Sequence, residues 1–216
     1  MTDFIREIEE DIRRERLEKL WKRYGVYLIA AGVLIVALAA GWTGWQRYRS
    51  HQIAQDSILY AAAANLARAG KPAAAAAAFA KIAADGRGGY RVLAGLRAAG
   101  AYLAAGDRKA AIAAYDRLAQ DSSVDARYRD LARYLSVLNR ADSVKPEVLE
   151  AELRPLLQKD DPWRFSAREL MAVLELKAGD KKAAARDFGA LANDLQAPVG
   201  LRERAAGMHA ALTEAK

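Results

Sequence analysis

Two histidines, one pair of adjacent aspartates, one glycine-rich loop and one run of interleaved arginines and tyrosines are the places where this sequence could do chemistry. His51 and His209 stand alone and far apart in the chain. A nucleophilic triad or a histidine-rich metal site needs more than two isolated imidazoles supply. Asp160-Asp161 has the form of a cation site or of paired acid/base carboxylates, but it sits directly before Pro162, where a helix cap is expected. Gly86, Gly88 and Gly89 in DGRGGY invite comparison with a phosphate cradle. That motif needs a preceding strand and a following Lys-Ser/Thr, and neither is present, so the stretch reads as a connection between helices. Arg127, Arg129 and Arg133 interleave with Tyr128 and Tyr134, which suits either a partner-binding face or a helix with one buried aromatic edge. With no cysteine, disulfides, thiolate metal sites, a cysteine nucleophile and a lipidated cysteine anchor are excluded. The expectation is a protein that is not an enzyme and has no catalytic residues, no metal and no cofactor.

The elements that would position these residues are organised around Gly25–Trp45, GVYLIAAGVLIVALAAGWTGW, which carries no charge. A helix over this stretch is about 31 Å long, the thickness of a bilayer's hydrocarbon core. Val26, Leu28, Ile29, Val33, Leu34, Ile35, Val36 and Leu38 together favour insertion by on the order of 4 kcal/mol. Arg13, Arg14, Arg16, Lys19, Lys22 and Arg23 precede the run, and only Arg47 and Arg49 follow closely. The positive-inside rule therefore places the N-terminus in the cytoplasm and the bulk of the chain on the far side. Trp21, Tyr24 and Tyr27 flank one end and Trp42, Trp45 and Tyr48 the other, as aromatic belts do. The competing reading is a cleaved signal peptide with its small-residue site at Ala37-Leu38-Ala39. Ala30, Ala37, Gly41 and Gly44 form a small-residue stripe that would let another membrane helix approach closely, or that simply reflects the Ala/Gly content of a span.

Ahead of the span, Ile5, Ile8, Ile12, Leu17, Leu20, Trp21 and Tyr24 fall at helical spacings, with acids early and bases late. A partner-binding or membrane-surface helix and a plain helical extension of the span fit this pattern equally. The net charge is +7. Residues 1–45 hold seven Lys/Arg and seven Asp/Glu, so the excess lies beyond them. It is scattered rather than striped, which together with a membrane anchor argues against nucleic acid as a partner.

Beyond the span, three stretches share one pattern. Ala69-Gly70-Lys71 leads to Ala75, Phe79 and Ile82; Ala105-Gly106-Asp107 to Ala111, Tyr115 and Leu118; Ala178-Gly179-Asp180 to Ala184, Phe188 and Leu191. The glycines lie 36 and 73 residues apart, so a divergent copy is expected near Asp142, with Leu149, Leu153, Leu156 and Leu157 in its second helix. Each unit predicts one helix ending at a left-handed glycine and a second folding back on it. The small alanine permits close approach, and the aromatic four residues on fills the space beside it. One such pair cannot cover its own apolar face, so neighbours must stack.

These residues resemble the tetratricopeptide repeat over roughly residues 56–194. The chain departs from that pattern in a slightly longer period, in lacking the closing proline after Phe79 and Tyr115, and in Glu175, which stands where Tyr102 stands in the second copy. The combination of LEKLWKRYG at Leu17–Gly25, a single span and a divergent repeat domain is similar to the YfgM-like ancillary Sec translocon subunit family of Gram-negative bacteria. That resemblance implies a single-pass bacterial inner-membrane protein, N-terminus cytoplasmic and repeat domain periplasmic. It implies Sec translocon subunits and a periplasmic chaperone or folding factor as partners. An alternative is a periplasmic adaptor for envelope assembly or cell division, released by signal cleavage.

The expected fold is all-α, an N-terminal transmembrane helix followed by a tetratricopeptide-like α-solenoid of about four helix pairs plus a capping helix. The division is 1–24 cytoplasmic amphipathic segment, 25–45 transmembrane helix, 46–55 juxtamembrane linker, 56–196 repeats and 197–216 capping helix. Helices are expected over 52–69, 72–84, 90–105, 108–120, 126–140, 145–158, 162–177, 181–194 and 199–214. The residues expected to define the repeats are Gly70, Ala75, Phe79, Gly106, Ala111, Tyr115, Gly179, Ala184 and Phe188. Ala37, Gly41 and Gly44 are the candidate membrane-helix contacts.

Overall fold

The computed structural model describes residues 2–86 and 88–214, with side chains from Trp21 onward apart from Leu28 and Ala31. Among the described residues every regular element is helical: α1 (Thr2–Arg68), α2 (Pro72–Asp85), α3 (Gly88–Ala104), α4 (Arg108–Gln120), α5 (Ala126–Arg140), α6 (Pro146–Leu153), α7 (Arg164–Lys177), α8 (Lys181–Asn193) and α9 (Val199–Glu214). The chain divides into two compact units, residues 1–54 and 55–216.

The first unit lies within α1. Its charge-free stretch is long and apolar enough, by length and composition, to cross a membrane. Val26, Ile35 and Trp42 within it are 75%, 66% and 69% exposed. The apolar side chains expected to line the segment before it, Ile5, Ile8, Ile12, Leu17 and Leu20, lie outside the described residues, as does Leu28 within the span. The linker expected over residues 46–55 is instead helical within α1. The stretch QRYRSHQIAQ holds no Gly or Pro to break a helix, and Gln52 Nε2 donates to Tyr48 Oη one turn earlier at 3.0 Å.

The second unit stacks residues 55–68 of α1 and helices α2 to α9, and from α2 to α9 each helix packs on the next in sequence. The core is a chain of local clusters, as expected when each repeat touches only its neighbours. Phe79, Ile82, Ala63 and Ala98 centre the first cluster, and Tyr115, Leu118 and Ala132 the next. Leu149, Leu153, Leu156 and Leu174 make the third, and Phe188, Leu191 and Leu201 the last. Tyr60 meets the Phe79 ring edge-on at 5.1 Å and Tyr90 at 5.6 Å, closing the first pair with aromatic contacts.

Most helix ends fall within two residues of expectation, and two of the differences lie at prolines. The helix expected over 145–158 ends at Leu153 and continues as a 3-10 turn over Arg154–Leu157. Pro155 has no N–H for the carbonyl of Ala151, and its ring crowds that carbonyl, so the chain tightens rather than continuing as α-helix. The helix expected from 162 begins at Arg164. Asp161 does not cap it: its Oδ1 accepts from Trp163 N at 2.7 Å, closing an Asx-type turn just upstream.

Candidate interaction surfaces

The pairs that shape the surface are set by three turns of one geometry. Gly70, Gly106 and Gly179 have φ of +69°, +82° and +87°, a region that alanine or leucine enters only under strain. At each, two backbone bonds cross the turn: Lys71 N to Leu66 O and Gly70 N to Ala67 O, Asp107 N to Tyr102 O and Gly106 N to Leu103 O, and Asp180 N to Glu175 O and Gly179 N to Leu176 O. That is the Schellman pattern. The next helix starts at once, with Asp107 Oδ1 accepting from Ala110 N and Asp180 Oδ1 from Ala183 N, both at 2.9 Å. The Lys71 side chain has no acceptor to offer and makes no cap bond; Pro72, immediately after it, starts α2.

Behind each turn, Ala75, Ala111 and Ala184 are fully buried, and Phe79, Tyr115 and Phe188 are buried beside them. The turn near Asp142 has no such glycine. Val144 N bonds back to Arg140 O at 3.1 Å, and Pro146 opens α6. Electrostatic ties hold this stretch: Arg140 with Glu152, and Lys177 with Asp142.

The chemistry-bearing residues are dispersed. His51 is exposed on α1. His209 is part of the packing: its Nδ1 donates to Ala185 O at 2.8 Å, and its ring fills the notch left by Gly189 on α8. Arg127 pairs with Asp125 and Arg133 with Asp130, while Tyr134 packs into the third cluster and Tyr128 stays 41% exposed. Gly88 takes φ +60° at the start of α3, and Arg87 of the glycine-rich stretch lies outside the described residues. Ala37, Gly41 and Gly44 lie exposed on α1, with open space where a side chain at either glycine would go.

Glu175 is a strongly perturbed carboxyl. Burial, then Asp187 and Glu150, raise it from 4.5 to about 7, against the pull of Arg186. Its Oε2 is enclosed and without a hydrogen-bond partner. At the matching position of the second pair, Tyr102 packs against the first core cluster, so the carboxylate occupies a site the repeat makes for a ring.

Three clefts stand out on the described surface of the second unit. One, about 300 Å³, lies between α2, α3 and α4, with Ala83, Gly95, Ala98 and Leu118 at its floor and Arg91, Arg117 and Asp121 at its rim. Arg91 is tied to Asp121 and donates to Ser123 Oγ at 3.0 Å. Hydrogen bonds from Ser123, reinforced by Arg91, hold the Asp121 carboxyl below the usual range. A second cleft, about 380 Å³, opens where Gly88, Val92 and Leu93 of α3 face Val124 and Tyr128. A third, about 340 Å³, is polar and gathers Lys159, Arg164 and Arg168 with Asp194 and Gln196. Sequence reasoning missed the first cleft, whose trace in the sequence is Gly95, a residue of low helix propensity inside α3.

The family described as "Tetratricopeptide repeat-like domain" matches residues 18–148, more than half of the chain. Among curated proteins none matches. Two solved structures resemble the chain. The crystal structure of Podosopora anserina putative kinesin light chain nearly identical TPR-like repeats has 13% identity and a TM-score of 0.54, and the match covers 73% of this chain and 85% of that one. A point-substituted form of the same repeats has 13% identity and a TM-score of 0.55, covering 73% and 84% respectively. At that identity the likeness is one of fold.

Proposed function

Because this chain belongs to the tetratricopeptide repeat-like domain family, we propose that it is a membrane-anchored, non-enzymatic scaffold for protein–protein interaction. Its repeat unit is periplasmic, its N-terminus cytoplasmic, and its partners are Sec translocon subunits and a periplasmic chaperone or folding factor. One observation carries the reading: a helix with exposed Val26, Ile35 and Trp42 and no charge between residues 25 and 45 belongs to the same chain as a stack of helix pairs. An apolar surface of that extent on a soluble protein is an aggregation hazard, and lipid is its natural cover. The excess of Lys/Arg before the span over that after it supports the orientation. The LEKLWKRYG stretch supports the YfgM-like assignment.

The experiment is in-cell photocrosslinking from exposed positions of the second unit, Arg97 and Glu203, with adducts identified by mass. Sec channel subunits or a periplasmic folding factor are the expected adducts. Adducts with cytoplasmic proteins alone would reverse the orientation, and recovery of neither Sec subunits nor a folding factor would end the translocon assignment.

A further inference from the structure

The cleft between α2, α3 and α4 has a feature that ordinary packing does not explain. Gly95 lies in the middle of α3, where alanine is the better helix former. Its backbone is not left-handed. A methyl added there would sit 3.7 Å from Leu118 Cδ1 and 3.9 Å from Ala83 Cβ, in ordinary van der Waals contact. Neither strain nor crowding requires glycine at this position. What glycine does is leave the floor of the cleft open between the small side chains of Ala83 and Ala98, and Ala80 keeps the wall beside it low.

The rim has a sign. Arg91 is neutralised by Asp121, whereas Arg117 has no acidic partner among the described residues; its Nε donates to Ala113 O at 3.2 Å, one turn back on α4, and the side chain is exposed. A guanidinium without a counter-charge thus stands beside an apolar floor. A volume of about 300 Å³ is at the lower end for ligand pockets and suits one large side chain rather than a lipid chain.

We propose that this cleft is a docking pocket for a bulky apolar side chain next to a carboxylate on a partner polypeptide, with Gly95 holding the floor open and Arg117 pairing with the acid. The apolar group would be the anchor, since buried side chains seated in pockets carry most of an interface's energy. The arginine would set the register and the preference for acidic segments. This rests on the protein-interaction reading and is independent of which membrane or translocon is involved.

The test uses the full-length chain in lipid nanodiscs, panned against a phage-displayed library of random 12-residue peptides. Selected peptides are then titrated by fluorescence anisotropy against the unchanged protein and the variants Gly95→Leu, Gly95→Ala, Arg117→Glu and Lys109→Glu. The expected binders carry a large apolar residue within one or two positions of Asp or Glu. Gly95→Leu weakens them by about tenfold or more, the scale of losing an interface anchor. Gly95→Ala weakens them less. Arg117→Glu weakens them several-fold at low salt, with the effect shrinking as salt rises. Lys109→Glu, on α4 but outside the cleft, changes little. Arg117 is exposed, so its variant keeps the test standing if Gly95→Leu does not fold. Failure to select any peptide, selection of peptides without acids, or binding untouched by both the Gly95 and Arg117 changes would overturn the pocket. In the last case the protein would still bind peptides, and the scaffold reading would survive without this cleft.

Discussion

Glycines inside helices separate into those that packing tolerates and those it requires, and the distinction can be measured. Gly100 on α3 is exposed, with open space where a methyl would go. Gly189 on α8 is buried, and a methyl there would lie 3.0 Å from both Cε1 and Nδ1 of His209. Gly100→Ala should gain only helix propensity, about 0.5–1 kcal/mol. Gly189→Ala gains the same but must displace the imidazole, which is held by its 2.8 Å bond to Ala185 O. The ring must give by a few tenths of an ångström; straining that bond costs up to about 1 kcal/mol, and forcing an atom into filled space adds about 1 kcal/mol more. The net for Gly189→Ala is a destabilisation of about 1 kcal/mol, so the two variants should differ by roughly 2 kcal/mol. For a chain of this size that corresponds to about 4–8 °C in Tm. The assay is thermal unfolding of the full-length protein in detergent, followed by calorimetry and circular dichroism. The decisive form is a double-mutant cycle: in a His209→Ala background, Gly189→Ala should become stabilising, like Gly100→Ala. If Gly189→Ala raises Tm in the unchanged protein as much as Gly100→Ala does, the ring is not seated where this reasoning puts it.

Two further outcomes are expected. Lys71 stands where Asp107 and Asp180 cap the equivalent helices with side-chain bonds, and its backbone (φ −110°, ψ 64°) is close to theirs, so Lys71→Asp should stabilise by about 0.5–1 kcal/mol while Asp107→Ala costs about 1 kcal/mol; equal Tm for Lys71→Asp and the unchanged chain would mean the cap does not form. Glu175 binds its proton up to about pH 7 when folded but only to about 4.5 otherwise, so the folded chain holds the extra proton between these values and stability falls as pH rises through that window; Glu175→Gln should remove this slope, and an equal Tm offset at about pH 5 and about pH 8 would discount the buried carboxyl.

Much of the fold was legible because the repeat writes its geometry into few residues. A glycine, an alanine and an aromatic recur at fixed offsets, and in the structure Gly106 is left-handed while Ala111 and Tyr115 are buried. The parts that were not legible depended on single local events. Pro155 was visible, yet whether a proline kinks, ends or tightens a helix depends on how the residues beyond it pack, and here the chain keeps Leu156 buried by narrowing to a 3-10 turn. The continuity of α1 through residues 46–55 was missed because a polar stretch between two apolar ones looks like a linker, although nothing in it opposes helix. The cleft at Gly95 was missed for a different reason. A pocket is a property of three helices at once, and the pattern within α3 shows only that the glycine is out of place.

The pair formed by α5 and α6 shows how far the repeat can drift. It has lost the turn glycine and the aromatic, but it lies between two pairs that retain both. In a stack where each pair touches only its neighbours, such a pair need supply only two compatible faces, and any local solution that does so will serve. Leucine replaces the alanine–aromatic couple: Leu149, Leu153 and Leu156 are fully buried against Leu170, Met171 and Leu174 of α7. On the other side, Ser136 of α5 donates to Asp116 Oδ1 of α4 at 2.5 Å, a polar tie beside the apolar packing of Ala132 and Leu135 on Tyr115 and Leu118. The turn, freed from its glycine, is fixed by the Lys177–Asp142 pair and by Lys177 Nζ donating to Ala141 O at 3.1 Å, both reaching over from the end of α7. The fourth pair therefore holds the third in place. The family pattern is retained in the first two pairs, where the cleft lies, and again in the last, where α9 packs on α8 beyond it.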